Sequence, residues 1–506
     1  MDRALLPYLF VLISVIVVVR WSVSLNSYSG AGKAPMYGDY EAQRHWMEIT
    51  YNLPVSQWYM NGTNNDLQYW GLDYPPLTAY HSWLCGVVAN RVNSSWVELL
   101  KSHGMESYDH KLFMRYSVLV VDVLIYIPAA IAYVFNEVSA DTQVKKLAEA
   151  SVFLLYPGLI LIDYGHFQYN CVSLGFALLA IYFLDKGRDL WGSIMFCFAL
   201  NYKQMELYHA APFFFYLLGS AFRSKKENWF FKLVKLGVVV ICSFMLCWFP
   251  FIFDINQASQ VLHRLFPFAR GIFEDKVANF WCSISVAVKL KNFLDQQQLV
   301  FLCLGTTVVA LLPSCLHLLV KPSTRTFKYA LVNSSLTFFL FSFQVHEKSI
   351  LIAALPVCTL LHYHPVTGLW FLHITTFSML PLLQKDGLLL ATIATMLLYH
   401  LATTQVYNCG TFLEKPSANG KNNIVLKTFF WLSMLGCAAI WIVSLTLRPP
   451  ARYPDLWPVI ISLYSCGHFL LFLCYFHWKQ FTWTIAGNEQ SAKNIKRTKQ
   501  KQKKFN

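Results

Sequence analysis

Two aspartates near the start of the chain could take part in acid–base or binding chemistry. Asp39 lies in the polar segment 38–46, and Asp73 lies in segment 70–76, before Tyr74 and two prolines. Asp39 could act as a general base at the boundary between water and lipid, and Asp73 could bind a substrate. The residues alone leave structural roles open, since Asp39 could cap a helix and Asp73 could form the turn that the prolines impose.

Several cations stand close to apolar runs and could bind an anionic group. Lys203 and Lys348 occupy very short segments between such runs, while Arg264 and Arg270 share segment 255–296. Ionisable groups close to the hydrocarbon usually have a function, and converging cations suit a phosphate attached to a lipid. For each single lysine, snorkelling at a helix end is the alternative. The candidate substrate-binding residues are Asp73, His166, Lys203, Arg264, Arg270, His346 and Lys348.

The chain that must position these residues has the composition of a membrane protein. Of its 506 residues, 56% are hydrophobic and 13% are charged, and the mean hydropathy is +0.41, whereas soluble domains carry about 25% charged residues. The apolar runs lie near 4–25, 112–135, 146–163, 171–185, 190–201, 205–221, 232–254, 297–320, 328–343, 349–362, 366–383, 387–405, 426–447 and 455–478. Because a membrane-spanning helix takes roughly 17–25 residues, the sequence predicts an all-α polytopic membrane protein with about fourteen transmembrane helices.

Basic residues orient the predicted helices. Lysine and arginine recur in alternate segments between the runs, for example at Lys145 and Lys146 and again at Lys186 and Arg188. Short basic loops stay in the cytosol, so this pattern places both termini there. The basic tail, 479–506, is then cytosolic, as expected for a basic segment after a final span. Nucleic-acid binding is an alternative for this tail, but the net charge does not require it, and we expect no nucleic-acid partner.

Two longer segments are expected on the lumenal side of the membrane. The first loop, 26–111, is much longer than a connector needs to be, and the second covers 255–296. Apolar residues recur at helical spacing in the first loop, at Ala42, Trp46, Ile49 and Leu53. This spacing predicts an amphipathic helix that lies on the membrane surface with its apolar side down and Asp39 at its start.

Short modification and retrieval signals agree with this orientation. Asn61 and Asn93 begin glycosylation sequons in the first loop, whereas the sequon at Asn333 lies inside an apolar run and is expected to be unused. The chain ends with Lys503 and Lys504 before two last residues, as in the KKxx retrieval signal of endoplasmic reticulum membrane proteins. An ordinary basic tail is the alternative. Together these signals predict a multi-pass protein of the endoplasmic reticulum membrane with a lumenal active site.

The cysteines give no sign of a disulfide framework or a metal site. The thirteen cysteines are scattered, mostly within apolar runs, and they include no CxxC pair and no metal-ligand spacing. We expect most of them to be small buried hydrophobic residues. No acidic pair demands a divalent ion either, so the sequence predicts neither a cofactor nor a metal site.

Five polar motifs connect the chain to a known family. They are 38–46, 70–76, 163–170, 264–281 and 343–348. With these motifs the chain resembles, over essentially its whole length, the endoplasmic reticulum glucosyltransferases that use dolichyl phosphate glucose to extend the lipid-linked oligosaccharide of N-glycosylation. Segments 41–46 and 271–279 are more similar to the branch that adds the first glucose than to the branch that adds the second.

The resemblance implies a fold, a reaction and a catalytic base. The fold is that of a type C glycosyltransferase, the donor is dolichyl phosphate glucose, and the acceptor is the nine-mannose Man9GlcNAc2 oligosaccharide on dolichyl diphosphate. Transfer would invert the anomeric centre to give an α-1,3 linkage, with Asp39 as the base and without a metal ion. The alternatives are the enzyme that adds the second glucose and, from another class, a polytopic lipid or sugar transporter. Transporters place ionisable groups near the bilayer midplane and use inverted repeats, and we detect no internal repeat in this sequence.

Overall fold

Helices dominate the structure. A computed structural model of the protein describes residues 5–137, 142–225, 227–266, 276–409 and 420–502. These residues contain no β-strand, and a single isolated bridge pairs Gly62 with Asn65. Each apolar run of the sequence coincides with one or more helical segments. The prediction of an all-α protein is therefore confirmed.

The helices follow one another with short connections. The α-helices are α1 (Leu6–Ser24), α2 (Gly38–Asn52), α3 (Pro76–Val92), α4 (Tyr108–Val121), α5 (Ile127–Glu137), α6 (Gln143–Leu154), α7 (Pro157–Ile160), α8 (Asn170–Asp185), α9 (Asp189–Tyr202), α10 (Leu207–Phe222), α11 (Trp229–Trp248), α12 (Ile255–Leu265), α13 (Phe280–Ile284), α14 (Gln296–Val320), α15 (Thr324–Phe341), α16 (Ile350–Leu360), α17 (Pro365–Ser378), α18 (Leu380–Lys385), α19 (Leu389–Tyr407), α20 (Gly420–Thr446) and α21 (Leu456–Gln502). Short 3₁₀ turns lie at Val55–Gln57, Ser94–Trp96, Gln204–Glu206, Leu290–Asn292 and Glu347–Ser349, and π-helical turns lie at Asp122–Tyr126 and Leu161–Phe167.

Seven helices in the described part of the chain are long and apolar enough to cross a membrane. They are Leu6–Ser24, Tyr108–Glu137, Trp229–Trp248, Gln296–Val320, Leu389–Tyr407, Ile424–Thr446 and Leu456–Thr482. One more crossing results if α6 and the segment Pro157–Phe167, which meet at 50°, form one broken span. Other predicted runs fall on shorter helices such as α8 and α9, with 16 and 14 residues. The number of about fourteen spans therefore stays a prediction.

The helices group into two compact units. The first unit contains Met1–Leu207, Val234–Gly271 and Leu361–Ile461, and the second contains Tyr208–Leu233, Ile272–Leu360 and Ser462–Asn506. The candidate residues Asp39, Asp73, His166, Lys203 and Arg264 belong to the first unit, whereas His346 and Lys348 belong to the second. The positions of Asp39, the candidate base, and of Lys203 can therefore be described together within one unit.

The predicted cytosolic tail 479–506 begins inside a helix. Helix α21 runs without a break from Leu456 to Gln502, so the last apolar run and the basic residues that follow it share one helix. Lys503 and Lys504 of the retrieval signal lie outside the described residues.

Most of the cysteines are buried and unpaired, as the sequence predicted. All thirteen lie in the described part of the chain, and none of them forms a disulfide. Ten are buried, and only Cys242, Cys282 and Cys474 are not. Most are thus small buried hydrophobic residues.

Helix α2 is enclosed by protein. Its apolar side packs into a cluster formed by Ala42, Trp46, Ile49, Leu53, Trp58, Tyr59, Leu72, Ala79, Phe251, Val261 and Leu265. Every residue from Tyr40 to Thr50 is buried, and each large apolar side chain in such a cluster contributes about 1.5–3 kcal/mol to folding. The prediction that this side of the helix rests on the membrane is therefore wrong. The apolar surface that it meets belongs to the protein.

The ends and crossing of α2 follow from local sequence. Leu53 precedes Pro54 and has an extended backbone (φ −103°, ψ 151°), so the helix ends at Asn52. Helix α3 crosses α2 closely at Gly86, where a Cβ atom would lie 2.6 Å from the carbonyl oxygen of Met47. A side chain at Gly86 would push the two helices apart, and α2 carries Asp39 in its first turn.

Candidate active site

Asp39 lies in the first turn of α2, and its side chain does not cap the helix. The N-cap residue is Tyr37, which has a left-handed backbone (φ +57°) and makes no side-chain cap bond. The Asp39 amide donates to Ser29 Oγ at 3.2 Å. Asp39 Oδ2 lies 3.0 Å from His166 Nε2 and accepts a hydrogen bond from Gln168 Nε2. The helix-capping alternative is thus wrong, and the carboxylate, 22% exposed, faces other side chains.

A second carboxylate completes a row of three side chains. His166 Nδ1 lies 2.6 Å from Asp386 Oδ2, while Nε2 faces Asp39. The imidazole is 2% exposed and Asp386 is 3% exposed. A protonated imidazole has a donor on each nitrogen and satisfies both carboxylates, and buried charges are tolerated when they are paired in this way. His166 thus fixes the orientation of the Asp39 carboxylate, and Asp386 fixes His166.

The backbone around His166 departs from a regular helix. The π-helical turn Leu161–Phe167 ends at Phe167, whose φ of +89° is unfavourable for a residue with a Cβ atom. Such turns and strained residues cluster at functional sites. The irregular turn allows His166 and Gln168, on either side of Phe167, to reach the same oxygen of Asp39.

A small cleft opens beside Gln168. About 200 Å³ of space between atoms, which includes open solvent and encloses no room for a water molecule, is lined by Gln43, Tyr74, Thr78, Gln168, Tyr169, Tyr202 and Lys203. Gln168 connects this cleft to Asp39, because its amide nitrogen donates to the carboxylate while its Oε1 lies 3.5 Å from the Tyr74 hydroxyl. The cleft therefore adjoins the candidate base.

Lys203 supplies positive charge to the same cleft. Its side chain is 9% exposed, and Nζ lies 2.5 Å from Asn170 Oδ1 and 5.3 Å from the centre of the Tyr74 ring. Asn170 Nδ2 in turn donates to Asp163 Oδ1 at 2.8 Å. The structure thus brings Lys203 to the cleft that adjoins Asp39, as expected if the cation and the base serve one site.

Tyr74 is a neutral wall of the cleft. Burial raises the pKa of Tyr74 well above its usual value, and the nearby carboxylates of Asp73, Asp39 and Asp163 add to the effect. A neutral ring contacts the Lys203 ammonium by a cation–π interaction without neutralising its charge.

Arg264 binds the backbone of the loop that carries Asp73. Arg264 Nη2 donates to the Gly71 carbonyl at 2.6 Å, and Arg264 Nε donates to the Leu72 carbonyl at 3.1 Å. Arg264 thus fixes the loop that carries Asp73 and Tyr74. Contact of Asp73 or Arg264 with a substrate stays a prediction.

Three other candidate residues lie in the second unit or outside the described residues. Arg270 lies outside the described residues. His346 and Lys348 belong to the second unit, where His346 is exposed and precedes the turn Glu347–Ser349. Their contact with a substrate also stays a prediction.

Further along α2 lies a closed cluster of charges, which we call the Arg44 network. Arg44 Nε and Nη2 donate to the two carboxylate oxygens of Glu41 at 2.8 and 2.6 Å, and Nη1 donates to Glu48 Oε2 at 2.7 Å and to Ser102 Oγ at 2.6 Å. The Tyr69 hydroxyl donates to Glu41 Oε1 at 2.8 Å. The three charged side chains are at most 1% exposed. Each charge in the network has a partner.

The Arg44 network keeps Glu48 ionised. Burial alone would raise the pKa of Glu48, but contacts with His45, the Arg44 guanidinium and the Leu100 amide hold it at about 2. A buried carboxylate with this pKa is charged across the physiological range and has a structural rather than a proton-transferring character.

Comparison with known proteins gives the chain a family. A model of the ALG6, ALG8 glycosyltransferase family matches residues 13–475. The chain is 52% identical over 478 residues to dolichyl pyrophosphate Man9GlcNAc2 alpha-1,3-glucosyltransferase of Gallus gallus, with 91% of this chain and 94% of the relative covered. The Mus musculus protein of the same name is 49% identical over 493 residues, covering 93% and 96%. A probable enzyme of that name from Drosophila melanogaster is 47% identical over 465 residues, covering 92% and 96%.

The chain belongs to the ALG6, ALG8 glycosyltransferase family. It is therefore a glycosyltransferase, and the described helices make it a multi-pass membrane protein. Both conclusions confirm the resemblance found in the sequence, including the type C glycosyltransferase fold.

Two of the three sequons in this ALG6, ALG8 family member are accessible. Asn61 and Asn93 are exposed, and Asn93 Oδ1 accepts hydrogen bonds from the amide and hydroxyl of Ser95. Asn333 is buried inside α15, where its Nδ2 donates to Gln480 Oε1 at 2.8 Å. The sequon at Asn333 is thus closed to modification, as expected, whereas modification of the other two stays a prediction.

Two residues of the site in this glycosyltransferase, Asp386 and Gln168, were not predicted from the sequence. Asp386 is 220 positions from its partner His166, yet it lies in the short segment between α18 and α19. The criterion that singled out Lys203, an ionisable residue in a very short segment between apolar runs, could have found Asp386. Gln168 lies within a recognised motif, but an amide side chain carries no signal of its own.

Proposed function

We propose that this protein transfers glucose from dolichyl phosphate glucose to the Man9GlcNAc2 oligosaccharide on dolichyl diphosphate, forming an α-1,3 linkage, and that Asp39 is the catalytic base. The observation that carries the proposal is the Asp39 carboxylate, held by His166 and Gln168 beside a cleft that also receives Lys203. A base and a cation at one cleft match a reaction in which a hydroxyl attacks a sugar and a phosphate leaves. The names of the relatives supply the acceptor and the linkage.

The reaction is a single displacement at the anomeric carbon. The 3-hydroxyl of the terminal mannose gives its proton to Asp39 while its oxygen forms a bond to C1 of glucose. The bond between C1 and the phosphate oxygen breaks, and its electron pair leaves with dolichyl phosphate. Attack opposite the leaving group converts the β-linked donor into an α-linked product, through a transition state with oxocarbenium character. This geometry requires Asp39 on the acceptor side of the sugar.

His166 and Asp386 act on the base and not on the substrate. The His166 ring is almost fully buried between the two carboxylates, so it holds Asp39 in one orientation during the attack. Preorganised hydrogen bonds of this kind remove the need for reorganisation in the transition state. Asp386 is therefore a positioning residue.

Lys203 is the proposed partner of the leaving phosphate. Negative charge grows on the phosphate as C1 departs, and a buried ammonium stabilises that charge more strongly than an exposed one. His346, Lys348, Arg264 and Arg270 are further proposed contacts of the donor or acceptor. A lysine partner supplies this charge without a divalent ion, and we expect added Mg²⁺ or Mn²⁺ to leave the transfer rate unchanged.

The site is proposed to face the lumen of the endoplasmic reticulum, with both termini in the cytosol. The exposed sequon residues Asn61 and Asn93 lie in the same segment as Asp39. If that segment is lumenal, each sequon can acquire a glycan that an endoglycosidase removes. Removal of both sequons by Asn→Gln substitution should abolish the mobility shift. Protease cleavage of segment 26–111 from the cytosolic side of sealed microsomes would contradict this orientation.

A reconstituted assay tests the function. Purified protein, dolichyl phosphate glucose and the nine-mannose acceptor should give a product with one additional glucose, and linkage analysis should place it on O3 of mannose in the α configuration. If the protein glucosylates only an acceptor that already carries one glucose, it is the second-glucose enzyme. Movement of donor across vesicles without any transfer would support a transporter instead.

A further inference from the structure

Three side chains beside the Arg44 network form a constellation suited to a metal ion. His45 and Glu48 lie on α2, and His103 lies in the segment before α4. One ligand atom from each of the three lies within 4.8 Å of the other two. His45 Nδ1 is 3.5 Å from Glu48 Oε2, and His103 Nε2 is 3.5 Å from Glu48 Oε1. Two ligand atoms that share a tetrahedral zinc ion at 2.0–2.1 Å lie about 3.4 Å apart. The 3.5 Å between His103 Nε2 and Glu48 Oε1 fits this spacing, and the limit of 4.8 Å on the other pairs requires only a small closing of the His45 ring.

His45 provides an independent reason to expect a ligand. Its side chain is 2% exposed, and neither ring nitrogen makes a contact of hydrogen-bond geometry, although Nδ1 lies 3.5 Å from Glu48 Oε2. A buried polar group without a partner is destabilising by about 1–3 kcal/mol, and each such group in a native structure needs an explanation. A metal ion on one nitrogen supplies the missing interaction.

Glu48 has room for one more ligand. A carboxylate offers about four lone-pair sites. Arg44 Nη1 and Ser102 Oγ occupy Oε2 at 2.7 and 3.0 Å, and the Leu100 amide occupies Oε1 at 2.7 Å. The remaining site on Oε1 is the one nearest His103. Hydrogen bonds to a ligating carboxylate are the usual support of a metal centre.

His103 completes the set from the solvent side. The His103 ring presents Nε2 to Glu48 Oε1 at 3.5 Å. Tyr69 stacks on this ring with centroids 4.2 Å apart and meets the His45 ring edge-on at 5.2 Å. The His103 side chain is 31% exposed, which leaves access for an ion and for a water ligand in a fourth position.

We propose that His45, Glu48 and His103 bind one Zn²⁺ ion that fastens the segment before α4 to helix α2. Two histidines and one carboxylate are a ligand set that zinc uses in proteins. His45 and Asp39 are six residues apart on one helix, or about 9 Å along its axis. The proposed ion therefore lies away from Asp39, and the proposal is independent of the proposed glucosyl transfer. It also revises the expectation that the chain holds no metal.

Metal content tests the proposal directly. The full-length protein is purified in detergent by an epitope tag without histidines, incubated with Zn²⁺, desalted and measured by mass spectrometry for zinc per chain. We expect about one zinc per chain in the wild type, and a fall to below about a tenth of that in His45→Ala and in His103→Ala. The matched control is His263→Ala, which changes an exposed histidine on α12 and should retain the zinc of the wild type.

Two further results decide cases in which a variant folds poorly. His103→Ala changes the most exposed of the three ligands, so its melting temperature without zinc should match that of zinc-depleted wild type. Addition of Co²⁺ to zinc-depleted wild type should give the visible absorption of a four-coordinate site, and His103→Ala should not show it. A wild type that binds no zinc and no Co²⁺, or a His103→Ala variant that binds both like the wild type, overturns the proposal.

Discussion

Helix α2 carries three acids, and the charges of Glu41 and Glu48 are satisfied differently from that of Asp39. In the Arg44 network, Glu41 and Glu48 are at most 1% exposed and share one guanidinium. Asp39, two residues before Glu41, is 22% exposed, and an imidazole and an amide hold it beside the small cleft. Glu41 and Glu48 lie in a closed network that stabilises the fold, whereas Asp39 is held in place but partly exposed. Accessibility combined with rigid support distinguishes a candidate base from a structural acid.

The largest expected effect is on the rate of transfer in Asp39→Asn. The amide cannot accept the proton of the attacking hydroxyl, so the turnover number should fall by about 10²–10⁴-fold while the melting temperature stays near that of the wild type. Radiolabelled glucose transfer measures the rate. Asp66→Asn, an exposed aspartate in the same segment, is the control and should be fully active. An active and folded Asp39→Asn would remove Asp39 from the mechanism.

The Arg44 network should respond in the opposite way. Arg44→Met leaves Glu41 and Glu48 buried without their cation, and such a loss destabilises a protein by about 3–5 kcal/mol. Thermal unfolding in detergent measures the effect, and activity per folded molecule should change far less than in Asp39→Asn. Lys101→Met removes an exposed ion pair with Glu98 and should leave the melting temperature unchanged. Equal melting temperatures of Arg44→Met and Lys101→Met would contradict a structural role for the Arg44 network.

Asp386 should show an intermediate effect that depends on His166. In Asp386→Asn the His166 ring loses its anionic partner, so the Asp39 carboxylate loses its fixed orientation. We expect the turnover number to fall by at most about a hundredfold. Asp386→Glu should recover part of the rate. The double variant Asp386→Asn, His166→Gln should be no slower than His166→Gln alone, because both changes break the same row of contacts. Additive losses would show that Asp386 acts through another residue.

The smallest effect on the turnover number is expected in Lys203→Met, which should act mainly on donor affinity. Loss of a charged hydrogen bond of about 1.5–3 kcal/mol should raise the KM for dolichyl phosphate glucose by about tenfold to a hundredfold and change the turnover number less. Lys203→Arg keeps the charge, and its KM should lie between those of the wild type and Lys203→Met. A Lys203→Met variant with an unchanged KM would place the phosphate elsewhere.

The sequence predicted the helices well because apolar runs have a local signal. Each run coincides with helical segments, and the spacing of Ala42, Trp46 and Ile49 indicated α2 with its end before Pro54. The environment of α2 was not predictable in the same way. An amphipathic pattern is the same whether a helix packs against lipid or against other residues such as Phe251 and Val261.

The contacts of the candidate site depend on pairings that no local pattern records. Asp39 and His166 are 127 positions apart, and His166 and Asp386 are 220 positions apart. Sequence reasoning found Asp39, His166 and Lys203 as separate candidates, but it could not show that one cleft adjoins them. It also missed the approach of His103 to His45, which requires the fold of the whole segment between them.

The most direct test of the account is a cryo-electron microscopy structure of the Asp39→Asn protein with dolichyl phosphate glucose bound. The account predicts a phosphate oxygen within about 3 Å of Lys203 Nζ and the anomeric carbon of glucose facing the side chain at position 39. A donor whose phosphate binds away from Lys203, or whose glucose lies out of reach of position 39, would contradict it.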